Sequence, residues 1–350
     1  MARFIKTLKK TALAASIASL ATVANATIVT SIKPLGFIAS SIADGVTDTE
    51  VLVPAGASPH DYSLKPSDIQ KLQGAELILW VGEDIDAFLD KTLRPMPFKK
   101  VLSIADFAEI GGLLEGEAHD HKHEHDHDHT HKHDHAHKHD HAHKHDHDHK
   151  HDHDHKHDHA HKHDHDHKHD HAHEHDHDHS TNWHVWYSPE ISKIVATRLA
   201  TRLTEGYPEK KAKIAQNLAE FNRTLAEQSE KIKQQLAPVK EKGFYVFHDA
   251  YSYFNNAYGL KQTGYFTINP LVAPGAKTLA KIKQEIKAHK VNCLFAEPQF
   301  TPKVIESLSK GTGVHVGRLD PMGDAVKLGV NSYANFLQYT ADSYFACLSK

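Results

Sequence analysis

Short apolar runs closed by glycine or proline alternate along this chain with stretches whose apolar residues recur at helical spacing. One long interior segment shows neither pattern. Near the start, the β-branched run 27–31 predicts a strand that Pro34 stops. A helix-like stretch 35–43 follows, then Gly45 and a second strand over 50–53. Pro66-Ser67-Asp68 opens a helix, and 75–81 has the continuous apolar character of a buried strand. Strand alternating with helix argues for a parallel sheet with helices packed on it.

Beyond the interior segment, 184–187 is strand-like, and Pro189-Glu190 opens a helix that runs to Leu203. Pro208 begins another helix at the first turn, where its missing N–H costs nothing. In that helix Ile214, Leu218, Phe221 and Leu225 recur at helical spacing, as do Ile232 and Leu236, until Pro238 marks the stop. Its other face is charged, and it stands between two α/β segments, as an inter-lobe strut would. From Gly243 the alternation resumes: strands at 244–247, 265–268, 291–296 and 314–319, with helices at 251–258, 277–289, 302–310 and 331–348. The expected architecture is α/β, two doubly wound lobes joined by a single long linker helix. The lobes fall at 27–207 and 238–350, with the linker helix at 208–237.

The segment without periodicity has histidine at every odd position from His119 to His179, thirty-one in all, with Asp, Lys, Glu or Ala between nearly all of them. An extended chain would place every imidazole on one face, but the opposite face is Asp and Lys. Nothing apolar offsets the chain entropy, so 117–181 is expected to be a disordered loop inserted in the first lobe. Fifteen Asp and two Glu against eight Lys leave 119–179 nine charges negative. About 60 flexible residues span on the order of 40 Å, comparable to a lobe. Imidazole suits zinc, copper and nickel, so the tract points to transition metals.

Composition narrows the rest. Arg3, Lys6, Lys9 and Lys10 precede a mildly apolar stretch 11–23 and an Ala24-Asn25-Ala26 cleavage signal, which predicts a signal peptide over 1–26 cut after Ala26. The apolar stretch is short of the roughly 20 residues that a bilayer span needs. No cysteine follows it to carry a lipid. The mature chain is expected to start near Thr27 and to be soluble in an exported compartment. With four positive charges in the leader and nine negative ones in the tract, the remainder is near neutral, which leaves no electrostatic footprint for nucleic acid. The two cysteines, Cys293 and Cys347, favour a disulfide over reactive thiols in an oxidising compartment.

Five histidines lie outside the tract. His60 sits in a Gly/Pro loop just past a strand, His184 where the chain regains order, and His248 at the end of the strand 244–247. Ligands of open α/β sheets bind outside the carboxyl ends of strands, which makes these three the candidate metal ligands. His289 lies among lysines at a helix C-terminus, where the helix dipole favours a cation. His315 alternates with valines as a solvent-facing strand residue, so neither is a candidate. Three imidazoles with one open position also resemble catalytic zinc. Two H-E-x-x-H matches, at His123 and His173, lie inside the tract without the apolar helix that gives the motif meaning.

The strings V-P-A-G-A-S-P-H-D-Y-S-L-K-P-S-D, N-W-H-V-W-Y-S-P-E, F-Y-V-F-H-D-A-Y, F-A-E-P-Q-F and L-D-P-M-G together resemble the periplasmic zinc-binding proteins of high-affinity zinc uptake, the ZnuA family. The resemblance spans essentially the whole mature chain. It implies a periplasmic solute receptor for an ATP-binding-cassette importer, with two α/β lobes bridged by a long helix and Zn²⁺ bound in the cleft. Carried over by motif, His60, His184 and His248 are the ligands and Cys293–Cys347 is a bridge. Manganese-binding relatives place a carboxylate where His248 stands, so imidazole there favours zinc. Some zinc members carry Glu immediately before the first histidine; here Pro59 occupies that position, which leaves the fourth site to water or to Asp320. The implied partners are Zn²⁺ and a membrane permease, for a monomer that inserts in no membrane, holds no resident cofactor and catalyses no reaction. The competing functions are a periplasmic zinc buffer built on the tract and, further off, a zinc hydrolase.

Overall fold

The computed structural model describes residues 27–116, 181–300 and 303–350. The expected signal peptide and the histidine tract 119–179 lie outside the described residues. The first lobe begins with β1 (Thr27–Thr30), α1 (Lys33–Ile42), β2 (Asp48–Val51), α2 (Pro66–Gly74), β3 (Leu77–Trp80), α3 (Glu83–Leu93) and β4 (Val101–Ser103). Its strands pair in parallel in the order β2-β1-β3-β4. A short antiparallel pair, β5 (Glu115–Gly116) with β6 (Thr181–Asn182), stands at the two ends of the tract. Then come α4 (Pro189–Gly206) and the long α5 (Lys211–Leu236).

The second lobe repeats the plan with β7 (Phe244–His248), α6 (Ser252–Tyr258), β8 (Gln262–Thr267), α7 (Ala276–Lys287), β9 (Cys293–Ala296), α8 (Lys303–Thr312), β10 (His315–Arg318) and α9 (Ser332–Leu348). Its order, β10-β9-β7-β8, is again all parallel. In each sheet the chain leaves the first strand to one side and returns to the other. Each lobe therefore has a switch point, between β1 and β3 and between β7 and β9, where loops part and a ligand can enter.

Strand residues serve two faces because successive side chains point to opposite sides. In β3, Leu77 and Leu79 join one buried cluster while Ile78 and Trp80 join another; in β7, Phe244 and Val246 separate from Tyr245 and Phe247 in the same way. That is why these strands are continuous apolar runs. The inner cluster is continuous through both lobes, running from Ile28 and Phe37 through Phe221 and Leu225 of α5 to Phe336 and Tyr344 of α9. Asn217, buried on the apolar face of α5, donates from Nδ2 to the carbonyls of Ile42 (2.9 Å) and Asp44 (2.8 Å) and so ties α5 to the end of α1. Cys293 of β9 and Cys347 of α9 are bridged.

Two differences from expectation have local causes. Residues 184–187 are not a strand: Val185–Tyr187 form a 3₁₀ turn, fully buried, entered from His184. A β-branched and aromatic run carries the same signal whether a strand or a packed turn buries it. The elements α3 and β4 were not anticipated. In α3 the apolar residues Ile85, Leu89 and Leu93 are diluted by acidic ones, and Asp86 breaks the helical conformation at φ −106° and ψ 40°. Strand β4 is only three residues long. Among the described residues, no helix is long and apolar enough to cross a membrane.

Candidate metal centre

Three histidines arrive from three different local structures. His248 closes β7 at the carboxyl edge of the second sheet. His60 lies in a 3₁₀ turn, Pro59–Asp61, whose start is fixed by the Ser58 hydroxyl accepting from the His60 N–H at 3.3 Å. Pro59 is pre-set for the first turn of such a helix. His184 is the residue from which the buried Val185–Tyr187 turn departs. Their ligand nitrogens all lie within 4.8 Å of one another, and among the described residues no other group of three or more metal-ligating side chains comes together.

The Nε2 atoms of His184 and His248 are 3.2 Å apart. Two nitrogens bound to one tetrahedral zinc at about 2.0–2.1 Å stand about 3.3–3.4 Å from each other, so this pair is already at ligand spacing. The His60 ring, centred 5.5 Å from that of His184 and 5.6 Å from that of His248, completes a triangle. The three line a cavity with Trp186, Phe300, Pro321 and Met322 that has room for little more than one water-sized guest, about 10 Å³ for its centre. An ion fits there.

Hydrogen bonds to the far nitrogens decide which ring atom is free. His184 Nδ1 meets Asn182 Oδ1 at 2.7 Å, and the His184 N–H donates to the same oxygen at 3.1 Å. Asn182 is held in turn, its Nδ2 donating to the Asp249 carbonyl and to Ser252 Oγ. His248 Nδ1 faces both oxygens of Glu297, at 2.7 and 2.8 Å, and Glu297 Oε1 accepts from the Tyr251 hydroxyl at 2.9 Å. An acceptor on Nδ1 puts the proton there and leaves the Nε2 lone pair for a metal. His248 and Glu297 meet because β7 and β9 are neighbours whose carboxyl ends flank the switch point.

Electrostatics favours uncharged rings. Burial, followed by the charge of His248, lowers the His60 pKa to about 3. Burial, then His248 and His60, lowers that of His184 well below the ordinary value. Both rings are neutral at pH 7 and can donate to a cation without first losing a proton.

Asp320, the other candidate for the fourth position, stands beside the cavity but has its oxygens engaged. Its Oδ1 accepts from Gln299 Nε2 (2.9 Å) and the Met322 N–H (3.1 Å), and its Oδ2 from the Asp324 N–H (2.7 Å). Gln299 lines the cavity, and its Oε1 is buried with no hydrogen-bond partner. His315 is exposed, and His289, at φ 57°, sits just past the end of α7; neither joins the cluster. Sequence reasoning passed over Glu297, Asn182 and Tyr251. The string F-A-E-P-Q-F displayed the glutamate, but only strand adjacency reveals that it reaches His248.

The chain matches the protein family described as zinc-uptake complex component A, periplasmic (ZnuA), over residues 28–347. It is 68% identical over 345 residues to the high-affinity zinc uptake system protein ZnuA of Haemophilus influenzae, covering 99% of each chain. To the protein of the same name from Haemophilus ducreyi it is 54% identical over 343 residues, covering 98% of this chain and 99% of that one. In fold it resembles the solved structure of the periplasmic zinc-binding protein TroA of Treponema pallidum. The TM-score there is 0.65 at 16% identity, over 93% of this chain and 100% of the other.

Proposed function

The chain belongs to the ZnuA family of periplasmic zinc-uptake components, and from that membership we propose that it is a solute receptor. It captures Zn²⁺ with His60, His184 and His248 and delivers it to the permease of an ATP-binding-cassette importer in the membrane. The observation that carries this reading is the convergence of three imidazoles within 4.8 Å in a cavity sized for an ion. Capture involves no bond-making beyond coordination. Neutral His60 and His184 offer their lone pairs, Asn182 and Glu297 hold two of the rings with Nε2 outward, and the aromatic walls exclude bulk water. The fourth position goes to water rather than to Asp320, whose oxygens already accept three hydrogen bonds; Gln299 Oε1 is the free acceptor for that water.

Nothing in the cavity favours a hydrolase. A hydrolase would need a placed general base beside the metal, and the cavity lining of Trp186, Phe300, Pro321 and Met322 offers none. The histidine tract is assigned from its composition a subsidiary role, gathering zinc at weaker sites near the receptor. Export by a signal peptide cut after Ala26 and action as a monomer belong to the same reading.

Zinc titration of a protein lacking 119–179 tests it. The ends of the excised segment leave the antiparallel β5–β6 pair side by side, so a short turn can close the gap. One tight stoichiometric site is expected to survive the deletion and to disappear with His60→Ala plus His184→Ala. Tight binding that vanishes with the tract and ignores the double substitution would make the protein a buffer instead. For the tract itself, equal zinc uptake by wild-type and tract-deleted cells at limiting zinc would remove the gathering role.

A further inference from the structure

Glu297 has a feature that a merely structural carboxylate lacks. Its side chain is wholly buried, and its partners are the His248 ring and the Tyr251 hydroxyl. No lysine or arginine pairs with it among the described residues. Burial pushes the Tyr251 hydroxyl well above its ordinary pKa, so it stays protonated and serves as a donor. A buried carboxylate with no lysine or arginine beside it is expensive to keep. It is held one imidazole away from the spot where a divalent cation is expected to bind.

Resting on the zinc-receptor reading, we propose that Glu297 is the positioning and charge-supplying residue of the metal site, preparing it for a divalent ion. It acts through His248. It holds the proton on Nδ1 and aims Nε2, and its negative charge reaches the metal through the polarised ring. The site thereby has a carboxylate behind one of its three imidazoles. Asn182 plays the geometric half of this role for His184, but as an amide it adds no charge.

The prediction separates charge from geometry. Glu297→Gln removes the charge and keeps one carbonyl oxygen to accept from His248 Nδ1, its amide nitrogen being a donor that cannot accept from the Tyr251 hydroxyl. Glu297→Ala removes both. Zinc affinity is read on the full chain against a competing chelator, counting as site-specific the part that His184→Ala abolishes, and thermal unfolding of the metal-free chain is read alongside. Glu297→Gln is expected to weaken Zn²⁺ binding about 10–100-fold, the range for removal of an outer partner of a metal-bound histidine. Its metal-free melting temperature should be no lower than that of the wild type. For Ag⁺, a monovalent ion that imidazole also binds, the loss should be about half as large on a logarithmic scale, because Coulomb energy scales with the charge of the ion. A lowered metal-free melting temperature with undiminished zinc affinity would make Glu297 structural and overturn the proposal. Equal losses for Zn²⁺ and Ag⁺ would overturn its charge component. A wild-type chain with no tight zinc site would instead sink the receptor reading itself.

Discussion

The depressed pKa values of His60 and His184 predict that cleft binding is far less sensitive to acid than imidazole binding ordinarily is. The perturbation is a fall in pH from 6.0 to 4.5. Three ordinary imidazoles with pKa near 6.5 each gain a competing proton over that range, and a site built from them loses about 10⁴-fold in apparent affinity. In the cleft, His60 titrates only near pH 3 and His184 is also held well below the ordinary value. His60 then adds no competing proton over the same interval and His184 a reduced share, so the loss should stay well below about 10⁴-fold. The assay is zinc titration of the tract-deleted protein at several pH values, with circular dichroism to confirm that it stays folded. That control is needed because the unfolded chain takes up protons below about pH 6.5 where the folded one does not. The two rings therefore contribute stability above that pH that is lost as pH falls toward 3, about 3 kcal/mol at pH 4.5 for His60 alone. A log-affinity slope near three would refute the claim that burial keeps these rings neutral. The tract, if its imidazoles are ordinary, should release zinc in the interval where the cleft still holds it.

Asp86 gives a dependence of opposite sign. Burial raises its pKa to about 7 against hydrogen bonds from Ser31 and Val81, so its contribution is full below about pH 4 and declines until about pH 7, by at most about 4 kcal/mol. Thermal melts of Asp86→Asn should show a gain over wild type at pH 8 and none at pH 4; a pH-independent difference would contradict this. Cys347→Ser opens a bridge between residues 54 apart, which costs about 4 kcal/mol in the chain-entropy limit. Denaturant unfolding should shift accordingly while the tract-deleted form keeps its one tight zinc site. Asn182→Ala frees the His184 ring, and zinc affinity measured against a chelator should fall about 10–100-fold; an unchanged affinity would show that the turn alone orients the ring.

The periodic part of the fold was legible because each lobe is built from strands buried on both faces and helices with one apolar stripe. Pro189, Pro208 and Gly259 punctuated the elements where the structure has them, the last at φ 74° just past α6. The three histidines were legible because loops at the carboxyl ends of parallel strands are where such sheets bind ligands. What escaped depended on contacts between distant segments. Glu297 and His248 are 49 residues apart and meet only because β9 is added beside β7. Asn182 sits two residues from His184, but its importance depends on Asp249 and Ser252 fixing its amide. The surroundings of Asp320 were invisible for a related reason: the backbone N–H groups of Met322 and Asp324, which bond its oxygens, are brought to it by the turn of its own loop.

The same core that makes the fold legible also constrains how an ion can come and go. Phe37 of the first lobe packs on Phe336 of the second at 5.2 Å between ring centres, and the Ser332 hydroxyl donates to the Phe37 carbonyl. Closer to the site, Lys33 Nζ donates to the Asp324 carbonyl and the Gly56 N–H to the Asp324 carboxylate, both at 2.7 Å, while Trp186 Nε1 donates to the Pro321 carbonyl. Swinging the lobes apart as rigid bodies would break these bonds and expose a close-packed interior shared by α1, α5 and α9, so wide hinge opening is costly. The three histidines differ in how firmly they are held. His184 and His248 are buried and locked through Nδ1, whereas His60 is partly exposed, carried by a three-residue turn, and lines an open groove with Tyr62, Asp84 and Phe88 on its outer side. Local displacement of that turn opens the cavity without disturbing the shared core. Two of the three histidines are thus built into the framework and one into its rim, and on the proposed reading exchange of the ion costs least by way of His60.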